Sequence, residues 1–326
     1  MLFPETWTDF FLVGYAPEQS FFQDSVSGVS VRISAELLDL AKKDVDRLTL
    51  AFKQSDAHDF RSSIFDTISI RGECRVTVKG LVFICRRFPF PPQSLKELGV
   101  SAKLTAALMD PKRQPNRLLL IVGRTGSGKS TLGAAFTKDW IRRFGGTGWT
   151  VENPVEISLQ DEDYGPNGAC FQVEVPHDDD FGTAIRDTMR SLPRLIFVGE
   201  LRNGEKTDFS PGARSAIQAA TTGHLVVATM HANDIPSGLQ RLSTLCGPLY
   251  NDMISDAIGT VLHTRLYDDA TTGRRKFDVT PLVIPNGEKG SDDFGAAIRQ
   301  HIREGDFHLL SSEVQRQKIQ YAASVF

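Results

Sequence analysis

The chain has 326 residues, 40% of them hydrophobic and 24% charged, which is enough for two compact domains with buried cores and ordinary for a globular protein. Its formal net charge of -3 argues against sequence-independent nucleic-acid binding, which needs a basic surface to displace counterions. Four cysteines (Cys74, Cys85, Cys170, Cys246) stand singly with no CxxC pair, so neither a zinc knuckle nor a disulfide framework is expected and a reducing cytoplasm fits.

The opening MLFPETWTDF carries neither the basic n-region nor the apolar h-region of a signal peptide. A helix is expected from about 35 to 54, with Ser34 placed to cap it and Leu37, Leu38, Ala41, Val45 and Leu48 on one face. Three β-like runs follow, SIFDTISIR, CRVTV and LVFICRR, with Lys79-Gly80 turning the second into the third. FPFPPQS at 88–94 holds three prolines and continues neither strand nor helix, so it reads as the interdomain linker. The expected division is a small α+β domain at 1–93 and a larger domain at 94–326.

Beyond the linker the pattern becomes strand, glycine loop, helix, strand. LLLIV at 118–122 is wholly apolar, as a central parallel strand covered on both faces requires, and far too short to cross a bilayer. The next helix begins at Ser130, carries Leu132, Ala135, Phe136 and Trp140 on one side, and stops at Gly145-Gly146. GWTV, LIFVG and LVVATM supply further buried strands, separated by helical patterns at 181–191 and 213–222. Tyr250, Met253, Ile254, Ala257, Ile258 and Val261 fit one long amphipathic helix. Phe294, Ala297, Ile298 and Ile302 predict another, which leaves Arg299 and Arg303 as surface neighbours suited to an acidic partner. Reversing both charges is therefore expected to spare the fold. Alternating strands and helices make this second domain α/β with a mainly parallel sheet.

GRTGSGKST at 123–131 matches G-x-x-x-x-G-K-[ST], directly after a strand and opening a helix. Gly123, Gly126 and Gly128 let the loop curl so that backbone N–H groups, those of Thr125, Ser127 and Thr131 among them, face a phosphate chain. Lys129 would reach the β- and γ-phosphates of ATP, and Ser130 would hold Mg²⁺. Kinases, GTPases, helicases and motors all use such a loop, so its companions decide the function.

LIFVGELRN at 195–203 ends a buried strand in Gly199-Glu200, a carboxylate placed to orient water or to support the metal. TVENPVEI at 150–157 presents Glu152 and Glu156 after another strand, and TGHLVVATMH at 222–231 puts His224 and His231 at the two ends of a third. In this order the elements resemble the PilT/GspE superfamily of secretion and pilus ATPases, with its Walker A loop, Asp box, Walker B strand ending in GE-x-R, and His box. The resemblance runs from about Cys74 to near the C-terminus, and AIRQHIREGDFH at 297–308 is similar to a motif of PilT-like retraction motors.

The resemblance implies a RecA-like P-loop NTPase core behind a small PAS-like domain. It implies a cytoplasmic homohexamer that works on an inner-membrane platform protein and on pilus or secretion machinery. Glu200 would then orient water with Glu152 as its catalytic partner, Glu200 and Ser130 would serve the Mg²⁺, and His231 would complete the site. Arg75 and Arg86 would clamp the γ-phosphate, with Arg87 as alternate and Arg190 and Arg202 as weaker candidates. The chain departs from the family in Asn153 and Asn203, which replace aspartates, and in Ala232 after His231. Those departures keep open a nucleotide-gated scaffold with little turnover, alongside a conjugation or effector-secretion ATPase.

Overall fold

The computed structural model describes residues 7–23, 29–55, 58–87, 92–111, 117–160, 162–204, 209–268, 275–285 and 294–322. The chain divides into two compact units, Met1–Phe90 and Pro91–Phe326. Residues 88–91 of the proline-rich run, and 205–208 of the loop after Asn203, lie outside the described residues.

The first unit contains β1 (Asp9–Val13), β2 (Phe21–Gln23), β3 (Ser30–Arg32), α1 (Leu38–Ser55), β4 (Asp59–Ile64), β5 (Ile68–Thr77) and β6 (Gly80–Arg87). Its strands form one antiparallel sheet in the order β3-β2-β1-β6-β5-β4. Alternate residues of the sheet, among them Phe10, Leu12, Phe22 and Phe83, are buried with Leu37, Ala41, Val45 and Leu48. The concentration of the core on one face follows from the two-residue period of a strand.

Two expectations are corrected in this unit. Ser34 makes no side-chain cap; a short 3₁₀ turn at Ala35–Leu37 precedes the α-helix instead. SIFDTISIR is not one strand, because Phe65 and Asp66 turn with φ of 51° and 64° and ISIR runs on into CRVT as β5. The turn lacks glycine and proline; the buried Asp44 of α1 holds it, its Oδ2 accepting from the Phe65 N–H at 2.8 Å.

The second unit runs α2 (Ala102–Leu108), β7 (Leu118–Gly123), α3 (Lys129–Phe144), β8 (Gly146–Glu152), β9 (Gly168–Glu174), α4 (Phe181–Met189), β10 (Leu195–Val198), α5 (Pro211–Thr221) and β11 (Val226–His231). It continues with α6 (Ile235–Cys246), α7 (Asn251–Ala257), β12 (Ile258–Asp268), β13 (Arg275–Val283), α8 (Phe294–Glu304) and α9 (Ser311–Tyr321). The sheet order is β13-β12-β7-β11-β10-β8-β9, and every pairing is parallel except β12 with β13. Alternate residues of the central strands feed two different cores: Leu118, Leu120 and Val122 one, Leu119 and Ile121 the other. Both faces of the sheet are therefore covered, and the wholly apolar β7 has that cause.

The long helix expected over 250–261 stops at Ala257. Ile258, Thr260 and Val261 instead pair with β7, with a register shift between Ile258 and Thr260. β-Branched side chains fit a buried strand better than a helix, and the apolar spacing suited both. α8 forms as predicted; Ile298 and Ile302 are buried along with Gly295, Ala297 is exposed, and the Phe294 side chain lies outside what the structure describes. Arg299 is no free surface charge. It donates to Ser255 O and, at 3.3 Å, to Ile258 O, and Arg117 donates to the same Ile258 oxygen at 3.3 Å. Arg303 is held by Asp256 at 3.0 Å. No helix among the described residues is long and apolar enough to cross a membrane.

Candidate active site

The parallel register brings four sequence motifs to one edge of the sheet. Gly123 at the end of β7 lies beside His231 at the end of β11, Val198 of β10 pairs with Ala228 of β11, and Val198 also pairs with Val151 of β8. The residues that follow these strands therefore share a crevice at their carboxyl ends, where open α/β sheets bind ligands.

The glycine loop closes onto α3. Gly126 and Gly128 have φ of 72° and 88°, a left-handed backbone that glycine alone adopts freely. Gly123 is required for space: a Cβ there would stand 2.3 Å from Ser127 Oγ and 2.7 Å from Thr264 Oγ1. The Ser127 and Thr264 hydroxyls are 2.9 Å apart beneath the loop, and the Ser127 N–H donates to Arg124 O. Ser127 therefore braces the loop with both its side chain and its N–H. Thr125 and Gly126 line a cavity of about 650 Å³ with Asn233 and Arg265, and Ser130 and Thr131 follow Lys129 in the first turn of α3.

A hydrogen-bonded chain leads from this loop to the next strands. Lys129 Nζ donates to Arg124 O at 3.1 Å and lies 3.2 Å from His231 Nδ1. An ammonium has no acceptor, so His231 Nδ1 accepts and its Nε2 carries the hydrogen toward Glu200 Oε1 at 2.8 Å. Glu200 Oε2 accepts from Arg202 Nη2 at 2.7 Å, and Asp178 Oδ1 lies 3.9 Å from Arg202 Nη1 and 3.4 Å from Asn153 Nδ2. Burial pulls the Lys129 pKa down against the opposing pull of Glu200 and Glu156. The hydrogen bond to Glu200 raises that of Arg202.

Glu152 sits one strand further along and is only 4% exposed. Its Oε1 accepts from Thr150 Oγ1 at 2.6 Å and from Gln172 Nε2 at 3.0 Å. Its side chain packs on Gly199, where a Cβ would come within 3.0 Å of Glu152 Cγ. Burial pushes its pKa up to about 7, against the downward pull of Thr150 and Gln172. A carboxyl raised toward neutrality is suited to taking and returning a proton.

The remaining candidates, Glu156 apart, stand elsewhere. Arg75 is bound by Glu73, and Arg86 donates from Nε to Asp9 Oδ1 at 2.9 Å, both within the first unit. Arg190 pairs with Asp187 on the surface of α4, and His224 hydrogen-bonds Ala219 O. Glu156 is exposed and acts on the site as a charge felt by Lys129, Arg202 and Glu152. Thr150, Gln172, Thr264 and Asp178 escaped the sequence reading. Thr150 had a signal, since residues two apart in a strand share a face, whereas Gln172 reaches Glu152 only through the pairing of β8 with β9.

No three or more His, Cys, Asp or Glu among the described residues cluster to hold a metal ion by themselves. A Mg²⁺ that takes most of its ligands from phosphate and water needs only one or two protein oxygens, so the expectation for Ser130 and Glu200 does not depend on such a cluster.

A glycine loop opening a helix at the carboxyl edge of a parallel sheet, with a carboxylate following a neighbouring strand, defines a RecA-like P-loop NTPase core. The chain belongs to the family described as Type II/IV secretion system protein, which matches residues 16–322. The match corrects the narrower resemblance read from the sequence, since it begins within the first 60 residues. The type II secretion system protein HxcR of Pseudomonas aeruginosa is 38% identical over 149 residues, which are 45% of this chain and 29% of that protein. The uncharacterized protein YggR of Escherichia coli is 29% identical over 265 residues, covering 79% and 73% of the two chains. This chain spans less than half the length of HxcR and of the Haemophilus influenzae HofB homolog, of which it covers 29% and 43%. Among solved structures, the pilus retraction motor PilT with bound ADP superposes with a TM-score of 0.73 at 24% identity, over 95% of this chain and 86% of that one. The Legionella pneumophila ATPase DotB gives 0.71 at 22%, over 97% and 84%. At these identities the likeness is one of fold.

Proposed function

We propose that the chain is an ATP-hydrolysing motor subunit of a type IV pilus or related secretion machine, of the retraction type. The observation that carries the proposal is the run Lys129–His231–Glu200–Arg202 beside the buried Glu152, all at the carboxyl edge of one sheet. The loop N–H groups, the amino end of α3 and Lys129 bind the β- and γ-phosphates of ATP. Ser130, with Glu200 as the supporting carboxylate, would hold a Mg²⁺, which would supply charge neutralisation at the phosphates.

Glu152 is the better proton acceptor of the two glutamates. Both oxygens of Glu200 are engaged, by His231 and by Arg202, which suits it to orient water. Burial makes Glu152 basic enough to take the proton. A γ-phosphate that draws Lys129 away changes the partner of His231, and through it the setting of Glu200. Arg75 and Arg86 remain the proposed phosphate clamp, the charge whose pairing with γ-phosphate differs before and after hydrolysis.

Phosphate release from the purified chain tests the assignment. Glu152→Gln should lower turnover by about 10²-fold or more while leaving nucleotide binding within a few-fold. Glu200→Gln should also lower turnover while leaving the pH at which activity falls off in acid unchanged. Full activity in Glu152→Gln would remove Glu152 from the chemistry.

The partners follow the same proposal: copies of this chain in a six-membered ring, and a platform protein at the inner membrane. Closed cyclic assemblies suit a surface that meets its neighbour head to tail. Mass measurement with ATP analogue and Mg²⁺ should give six subunits, and a monomer under every nucleotide condition would count against the ring.

A further inference from the structure

We propose that Gln172 is a positioning residue for Glu152, fixing which carboxyl oxygen stays an acceptor and tying that choice to the loop after β8. The inference rests on the reading of Glu152 as proton acceptor and extends it to a residue outside the sequence motifs.

Gln172 lies on β9, the outermost strand, and spends all four of its hydrogen-bonding positions nearby. Its Nε2 donates to Glu152 Oε1 at 3.0 Å and to Ile157 O at 2.9 Å. Its Oε1 accepts from the N–H groups of Leu159 at 2.8 Å and Gln160 at 3.1 Å. These partners determine the orientation of the amide, since the opposite placement would set nitrogen against two N–H donors. The Gln172 N–H in turn donates to Gln160 Oε1 at 3.2 Å, which closes a reciprocal pair with the loop. Two residues on, Glu174 Oε2 accepts from the Val155 N–H at 2.9 Å. Successive same-face residues of β9 thus grip the loop 153–160 from one side, and one of them also grips Glu152.

The consequence for Glu152 is chemical. Thr150 Oγ1 and Gln172 Nε2 both donate to Oε1, which holds that oxygen as an acceptor, and the Glu156 N–H is a further donor to the carboxylate. A donor to a carboxylate favours its ionised form, so withdrawing the Gln172 amide raises the pKa of Glu152. The ionisable neighbours do not offset this. Glu156 adds a like charge, Glu174 is engaged with Val155, burial keeps the Cys170 thiol protonated with a pKa of about 12, and Glu200 is held by His231 and Arg202.

The test uses the full chain and two readouts: the pH dependence of phosphate release, and an infrared titration of the Glu152 carboxyl, identified by its loss in Glu152→Gln. Gln172→Met should move the acid limb of turnover and the carboxyl titration upward together by about one pH unit. Thr150→Val, which removes the other donor to the same oxygen, should act in the same direction. Gln160→Ala, which removes only the acceptor of the Gln172 backbone N–H and leaves the side-chain amide anchored by the N–H groups of residues 159 and 160, should move neither. Should Gln172→Met not fold, Gln172→Asn keeps the polarity and withdraws the amide by one methylene, and the same shift is required of it. Lower turnover at every pH, with limb and titration in place, would make Gln172 a packing residue and overturn the proposal. If the carboxyl shifts and the limb does not, the positioning stands and the assignment of Glu152 as the acceptor falls.

Discussion

Replacing Lys129 with alanine should lower phosphate release by about 10³-fold, the largest loss expected of any single change in this chain. The lysine is 7% exposed and its Nζ already converges with His231 on the mouth of the loop, so its charge is aimed before any ligand arrives. Backbone donors alone cannot offset the charge that β- and γ-phosphates bring to the loop. The substitution also removes the donor to His231 Nδ1, which leaves the tautomer facing Glu200 unfixed. Phosphate release at wild-type rate in Lys129→Ala would sink the enzymatic reading altogether.

Arg299→Glu should cost the second unit about 2–3 kcal/mol and lower the melting temperature by roughly 5–10 °C. Two guanidinium groups, Arg299 and Arg117, meet the carbonyl oxygens that end α7, where the helix dipole is negative. Burial and the nearby Arg117 hold the Arg299 pKa down at about 10, against the pull of Asp256. A carboxylate in that place would face carbonyl oxygens with no donor. Arg303 is 39% exposed and pairs with Asp256 at the rim, so Arg303→Glu should cost no more than about 1 kcal/mol. Thermal melts of the two variants separate these cases. An unchanged melt for Arg299→Glu would return it to the surface role that spacing alone suggested.

The contrast shows what a linear sequence discloses. The phosphate loop was legible because its chemistry needs contiguous residues: three glycines, a lysine and a hydroxyl, between a strand and a helix. Glu200 and His231 were legible because each follows a buried apolar run that ends at a fixed place in the sheet. Gln172 was not, since twenty positions separate it from Glu152 and only strand pairing joins them. Nor was the role of Arg299, whose partners Ser255 and Ile258 lie about forty residues away where an expected helix turns into a strand. Apolar spacing at 250–261 satisfied both periods, and β-branching was the tie-breaker passed over. The strands before residue 33 were missed because they are three to five residues long, too short for alternation to register.

The carboxyl of Glu152 also ties the stability of the fold to acidity. Its ordinary value of 4.5 becomes about 7 in the folded chain, so between those values the native state keeps a proton that the unfolded chain gives up. Stability from this group is therefore complete below pH 4.5, declines as the pH rises through the window, and is gone above about 7. On the proposed role of Glu152, the ionisation that would ready it to accept a proton is the same event that removes this contribution to stability. Above that window this one side chain no longer favours the folded state, and the rest of the two cores must carry the difference.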